Sequence, residues 1–142
     1  MRVLLDTDVI LDFVLERTPY VEAAAQLLEL HAKERYQGFI SSITPINVFY
    51  IGRKAVGAEK ARLSIADLLG TLEVCSITQA TLINALDSSF SDYEDAVQYL
   101  SAAAIGLDAI ITRNVGDYRN STLPVFTPDA FLQHLNSQQD QT

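Results

Sequence analysis

The stretch Val3-Leu4-Leu5-Asp6-Thr7-Asp8-Val9-Ile10-Leu11-Asp12 decides how this chain is read. Its first three residues form a short apolar run of the kind that makes a fully buried strand. A carboxylate follows at once, and an acid at the end of a buried strand is desolvated unless something compensates it. In a parallel sheet covered by helices, ligands collect outside the carboxyl ends of the strands. Asp6 is therefore the first candidate functional residue, and the case for function there is stronger than for any other acid. Asp8 reads equally well as a site acid or as the N-cap of a helix over 9–16.

Similar apolar runs recur around Ile40, Val74 and Ile110-Ile111, with helical stretches between them. Strands alternating with helices predict an α/β fold with a parallel sheet. Three Thr-Pro pairs, Thr18-Pro19, Thr44-Pro45 and Thr127-Pro128, are read as helix starts, with threonine as cap and proline in the first helical position. The helix after Thr44 should stop at Gly57, and a second, over 58–69, should stop at Gly70, making a helical hairpin. Further helices are predicted over 78–86, 93–105 and 129–135. Pro124 removes a ladder donor from the run Leu123-Pro124-Val125-Phe126, so that strand belongs at a sheet edge. Residues 1–136 are read as one domain, and the polar residues 137–142 as a loose tail.

Length and composition agree with this. A chain of 142 residues, 49% hydrophobic and 20% charged, suits one globular domain. Its single cysteine, Cys75, lies in an apolar run and has no internal disulfide partner, which points to a reducing compartment. The opening apolar run is cut short by Asp6, and no stretch approaches the ~20 apolar residues of a membrane span. The expectation is a cytoplasmic protein with no membrane association. A formal charge of −8 and a pI near 4.5 exclude a nonspecific nucleic-acid coat protein. That objection to nucleic acid is lifted only if the acids hold cations, because a bound divalent ion inverts the local field and grips phosphate oxygen.

The remaining acids of interest are Asp92, Glu94 and Asp95 at the start of a helix, and Asp117 in the loop after the fourth strand. If Asp6, Asp95 and Asp117 converge, two such charges ~4 Å apart repel by roughly 4 kcal/mol at an effective dielectric of ~20. A cation relieves this, and ligands that are all oxygen select hard ions, Mg²⁺ or Mn²⁺. Ser41 after the second strand, with Thr112 and Asn114 after the fourth, would line the same rim. The plainer readings are structural. Ser91-Asp92-Tyr93-Glu94 matches a capping box in which Ser91 caps and Glu94 reaches back, and this is the preferred role for Glu94. Asp12, Glu16, Asp67 and Asp87 read as ordinary surface or loop acids.

Three segments together resemble the PIN-domain family, which includes the toxin ribonucleases of bacterial toxin–antitoxin modules. They are the opening stretch through Asp12, Asp92-Tyr93-Glu94-Asp95-Ala96, and Ala109-Ile110-Ile111-Thr112-Arg113-Asn114 followed by Asp117-Tyr118. The resemblance implies a three-layer fold with a mostly parallel sheet of about five strands flanked by helices. It also implies Mg²⁺- or Mn²⁺-dependent hydrolysis of RNA, an antitoxin protein that blocks the pocket, and homodimers. On this likeness Asp6 and Asp95 match the most dependable metal-site aspartates, with Asp92 beside them. Asn114 falls where many members place a fourth acid, for which Asp117 would substitute. Asn47 stands where the family usually has glutamate, either as a variant ligand or as a mark of weakened catalysis. Thr112 and Ser41 would orient the ligands or the attacking water.

Arg53, Lys54, Lys60 and Arg62 crowd around the hairpin turn, either as an RNA-phosphate contact or as a solvated tip offset by Glu59. Two other functions fit parts of the pattern. A noncatalytic binding module on the same scaffold would explain Asn47 and Asn114. A haloacid-dehalogenase-like phosphatase would use Asp6 as nucleophile, but such enzymes need a lysine further along and none follows Lys60.

Overall fold

The computed structural model describes residues 1–140, and of Asp140 the backbone only. Five strands, β1 (Arg2–Leu5), β2 (Gln37–Ser41), β3 (Glu73–Cys75), β4 (Ala109–Ile111) and β5 (Val125–Phe126), form one sheet in the order β3-β2-β1-β4-β5. Every pairing is parallel. Among the described residues seven α-helices flank it: α1 (Thr7–Val14), α2 (Val21–Ala32), α3 (Ile43–Val56), α4 (Ala58–Thr71), α5 (Gln79–Leu86), α6 (Tyr93–Ala104) and α7 (Pro128–Asp140).

The layering follows from strand alternation. Successive side chains of a strand point to opposite faces, so a strand with helices on both sides must be apolar throughout. Val3 and Leu5, with Ile40 and Ile111, join a core containing Val9, Leu27 and Phe131 from α1, α2 and α7. Leu4, with Phe39 and Ile110, packs on the other side with Ala102 of α6, Leu107 and Tyr118. Val3, Leu4 and Leu5 are all fully buried, each worth about 1.5–3 kcal/mol relative to exposure. β5 lies at the sheet edge, as Pro124 requires. No helix among the described residues is long and apolar enough to cross a membrane.

Several helix starts differ from the sequence reading. α1 begins at Thr7, so Asp6 takes the backbone N-cap position and Asp8 lies in the first turn. Thr44 is inside α3 and fully buried; its hydroxyl bonds Thr7 rather than capping. Thr18-Pro19 sits in the turn ahead of α2, whose N-cap is Tyr20. Only Thr127 caps as expected, its Oγ1 accepting from the Ala130 amide at 3.1 Å. At α6 the cap is Asp92, which accepts from Asp95 N at 3.0 Å, not Ser91. α7 continues past 135 through Asp140, supported by Gln138 bonded to His134 one turn back and by Arg35 bonded to Gln139. The last two residues of the predicted loose tail, 141–142, lie outside the described residues.

Candidate functional site

The chain runs β1, β2, β3 to one side of the sheet, then returns past β1 to lay down β4 and β5 on the other. The crevice outside the carboxyl ends of β1 and β4 is therefore the switch point at which such sheets bind ligands. Asp6 stands there, its backbone amide tied to Ile111 O at 2.9 Å. Around it is a cleft of about 210 Å³ whose polar lining is Asp6, Thr7, Asp8, Asn47, Asp92, Glu94, Asp95, Asn114 and Asp117. The cleft thus gathers carboxylates from α1, α6 and the 3₁₀ turn after β4, with no lysine or arginine among its lining residues.

Asp6 is only 4% exposed and both its oxygens are held. Thr112 Oγ1 donates to Oδ2 at 2.7 Å, and Gln98 Nε2 donates to Oδ1 at 2.9 Å. The second Gln98 amide proton goes to Tyr118 OH at 3.1 Å, and that hydroxyl donates to Asp95 Oδ1 at 3.3 Å. Thr7 uses its proton on Gln98 Oε1 at 3.4 Å, so Thr44 donates to Thr7 at 2.8 Å and Ser41 in turn to Thr44 at 3.4 Å. One directed chain of buried hydrogen bonds thus runs from the end of β2 to the Asp6 carboxylate. No buried side-chain polar atom among the described residues is left without a partner, which such a network requires to be stable.

The electrostatics are those of uncompensated acids. Burial raises Asp6 above the ordinary carboxyl range, more than the Gln98 and Thr112 hydrogen bonds lower it. Burial first, and then the charges of Asp6 and Asp92, push Asp95 up to about 7. Glu94 is raised by burial, Asp6 and Asp92 in that order. Among the described residues, however, no three acidic, histidine or cysteine side chains already meet as a finished cage. Asp6, Asp95 and Asp117 share the cleft without converging on one point.

Three sequence expectations change. Ser41 is fully buried beneath the cleft instead of on its rim, and acts only through Thr44. Glu94 does not reach back to its own helix start; Asn47 Nδ2 donates to Glu94 Oε1 at 2.9 Å, which draws this carboxylate into the cleft. Asp12 is not a surface acid. It is 1% exposed and takes Nε and Nη2 of Arg113 at 2.6 and 3.2 Å, with Arg17 at 3.7 Å. A buried carboxylate needs such a partner, and only folding brings Arg113 to it from 101 residues away.

Arg53, Lys54, Lys60 and Arg62 are exposed on the α3–α4 hairpin and none lines the acidic cleft. Lys54 continues the helix face of Asn47 and Ile51, both of which do line it. Arg53 and Arg62 lie over the Phe49 ring at 6.0 and 5.3 Å, whereas Lys60 faces a separate groove with Phe13 and Leu28. Sequence reasoning missed Gln98, Tyr118, Thr7 and Thr44. The signal the sequence did offer was Gln98 three residues after Asp95 and at helical spacing to Ser101 and Ala102, on the face of α6 that the structure buries.

Residues 2–116 match the family model described as PIN domain. Over 141 residues the chain is 25% identical to Ribonuclease VapC1 of Aquifex aeolicus (strain VF5), covering 96% of each chain. Of solved structures, a toxin–antitoxin complex from Klebsiella pneumoniae is similar at TM-score 0.65 and 28% identity, over 89% of this chain and 97% of that one. The DNA-bound VapBC of Salmonella typhimurium shares the fold at TM-score 0.67 and 20% identity, over 90% of this chain and 98% of that one.

Proposed function

Because the chain belongs to the PIN-domain family, we propose that it is a metal-dependent endoribonuclease, the toxin of a toxin–antitoxin pair, and that it hydrolyses RNA phosphodiester bonds in the acidic cleft. The observation that carries this is the crowding of Asp6, Glu94 and Asp95 with Asp8, Asp92 and Asp117, with no cationic side chain lining the cleft. Ribonuclease activity is drawn from the Aquifex relative, which aligns end to end, and an antitoxin partner from the Klebsiella complex.

The donor set fits a hard divalent cation. Its ligands are all oxygen, and Asp6, Glu94 and Asp95 are raised by burial first and by neighbouring acids after it, both of which a bound cation would offset. An ion held by carboxylates of an open cleft would keep several waters, as Mg²⁺ and Mn²⁺ commonly do. Asp6, Asp95 and Asp117 would hold it, with Asp92 beside them. When bound, such an ion polarises phosphate oxygen and acidifies water.

The chain's own residues do the rest. Thr112 and Gln98 fix the orientation of the Asp6 carboxylate, and Tyr118 steadies Asp95, which limits the freedom each acid loses when an ion binds. Glu94, held by Asn47, supplies from α6 the negative charge that Asn47 itself lacks. Asp6→Asn should abolish Mn²⁺-dependent cleavage of single-stranded RNA while circular dichroism stays unchanged; continued cleavage would overturn the assignment. A noncatalytic module is the second reading, favoured by Asn47 and Asn114 in the cleft. It predicts no gain in thermal stability from Mn²⁺, where an ion at 100 times its Kd adds about 2.7 kcal/mol.

A further inference from the structure

Beside the acidic cleft is a second cavity, of about 390 Å³, lined by Pro19, Tyr20, Arg113, Asn114, Thr127 and Asp129 among others. Asn114 lines both cavities and so forms the wall between them. The Arg113 guanidinium lies over the Tyr20 ring at 4.1 Å from its centroid, and Tyr20 is 44% exposed. Two flat groups, stacked and partly open to solvent, stand next to a cleft suited to phosphodiester chemistry.

We propose that this cavity binds a nucleobase of the RNA adjoining the phosphate held in the acidic cleft, with the Tyr20–Arg113 stack as its platform. This rests on the ribonuclease reading above and adds to it a subsite that holds the substrate. Arg113 is poorly suited to grip a phosphate, because Asp12 already takes two of its N–H groups and Asp129 adds a further carboxylate to the cavity wall. What remains is a planar, charge-balanced surface, on which a neutral base stacks well. The Asn114 amide, whose Nδ2 donates to Asp8 Oδ2 at 3.1 Å, keeps its carbonyl to accept from a base N–H. Stacking tolerates any base, so the subsite gives affinity before it gives sequence preference.

The test leaves the acidic cleft unmutated and uses phosphorothioate-linked oligomers that resist hydrolysis, so that the strand survives. Affinities for two fluorescent single-stranded oligomers are measured by anisotropy in Mn²⁺: one of random sequence and one of equal length with abasic ribose throughout. Tyr20→Ala should weaken binding of the first about tenfold, within the range of base–aromatic stacking, and leave the second unchanged. Tyr20→Phe, which keeps the ring, should bind both as the parent does, and thermal melts should show all three proteins folded. An equal loss for both oligomers means a backbone contact, and no difference between parent and Tyr20→Ala, even if neither binds, means no subsite; either result overturns the proposal. Both leave the ribonuclease reading intact, since that falls separately if the wild-type protein with Mn²⁺ fails to cleave RNA.

Discussion

Asp95→Asn should stabilise the metal-free protein, against the usual rule that substitutions destabilise. Asp95 is half-buried in a cleft with Asp6 and Asp92, and burial with those charges lifts it from 3.8 to about 7. The folded state therefore holds a proton that the unfolded state releases near 4, so stability falls as pH rises between those values and stays low above about 7. The full displacement corresponds to about 4 kcal/mol, but solvent reaching the carboxyl screens it to roughly 1–2 kcal/mol. A first-turn acid also favours the helix dipole by about 0.3–1 kcal/mol, which the substitution forfeits. Tyr118 can donate to the asparagine oxygen as it does to Asp95 Oδ1. The net gain is about 1 kcal/mol near pH 8, or a melting point ~2–4 °C higher.

The assay is thermal unfolding in chelator near pH 8 and again near pH 4, followed by the same melts with Mn²⁺. The gap between variant and wild type should shrink sharply at the lower pH, where the carboxyl is neutral in the folded state and already about half protonated in the unfolded one. With Mn²⁺ the order should reverse, because the wild type gains a ligand charge that the variant lacks. A variant that melts no higher than wild type near pH 8, or by the same margin near pH 4, refutes the picture of an uncompensated acidic cleft.

Arg113→Ala leaves Asp12 buried with only Arg17 at 3.7 Å, and should lower stability by about 3 kcal/mol, read as a fall in urea midpoint. Gln98→Met keeps the shape but removes the donors to Asp6 and Tyr118; Mn²⁺ affinity by calorimetry should drop roughly 10- to 100-fold, and an unchanged value would mean that Gln98 only fills space. Lys54→Ala with Arg62→Ala should flatten the dependence of RNA affinity on salt by about 1.4 in log–log slope if each residue neutralises one phosphate. A slope identical to wild type would make the hairpin tip a solvated surface and nothing more.

What the amino-acid sequence determines by itself here is local. Apolar runs too short for helices set the strands, glycine at 57 ends α3, Pro124 consigns β5 to the edge, and an acid directly after a buried strand marks Asp6, because each of these follows from neighbours along the chain. Helix starts were legible only in part: Thr127 caps, but Thr44 was drawn inside α3 because the buried Thr7 hydroxyl offered it a better partner. The roles of Asp12 and Glu94 belonged to the tertiary structure alone. Asp12 looks like any surface acid until Arg113 arrives from beyond β4, and Glu94 like a capping residue until Asn47 is packed against it. A side chain's protonation and bonding depend on what is desolvated around it and which charges lie within a few ångströms, and those neighbours are distant in sequence.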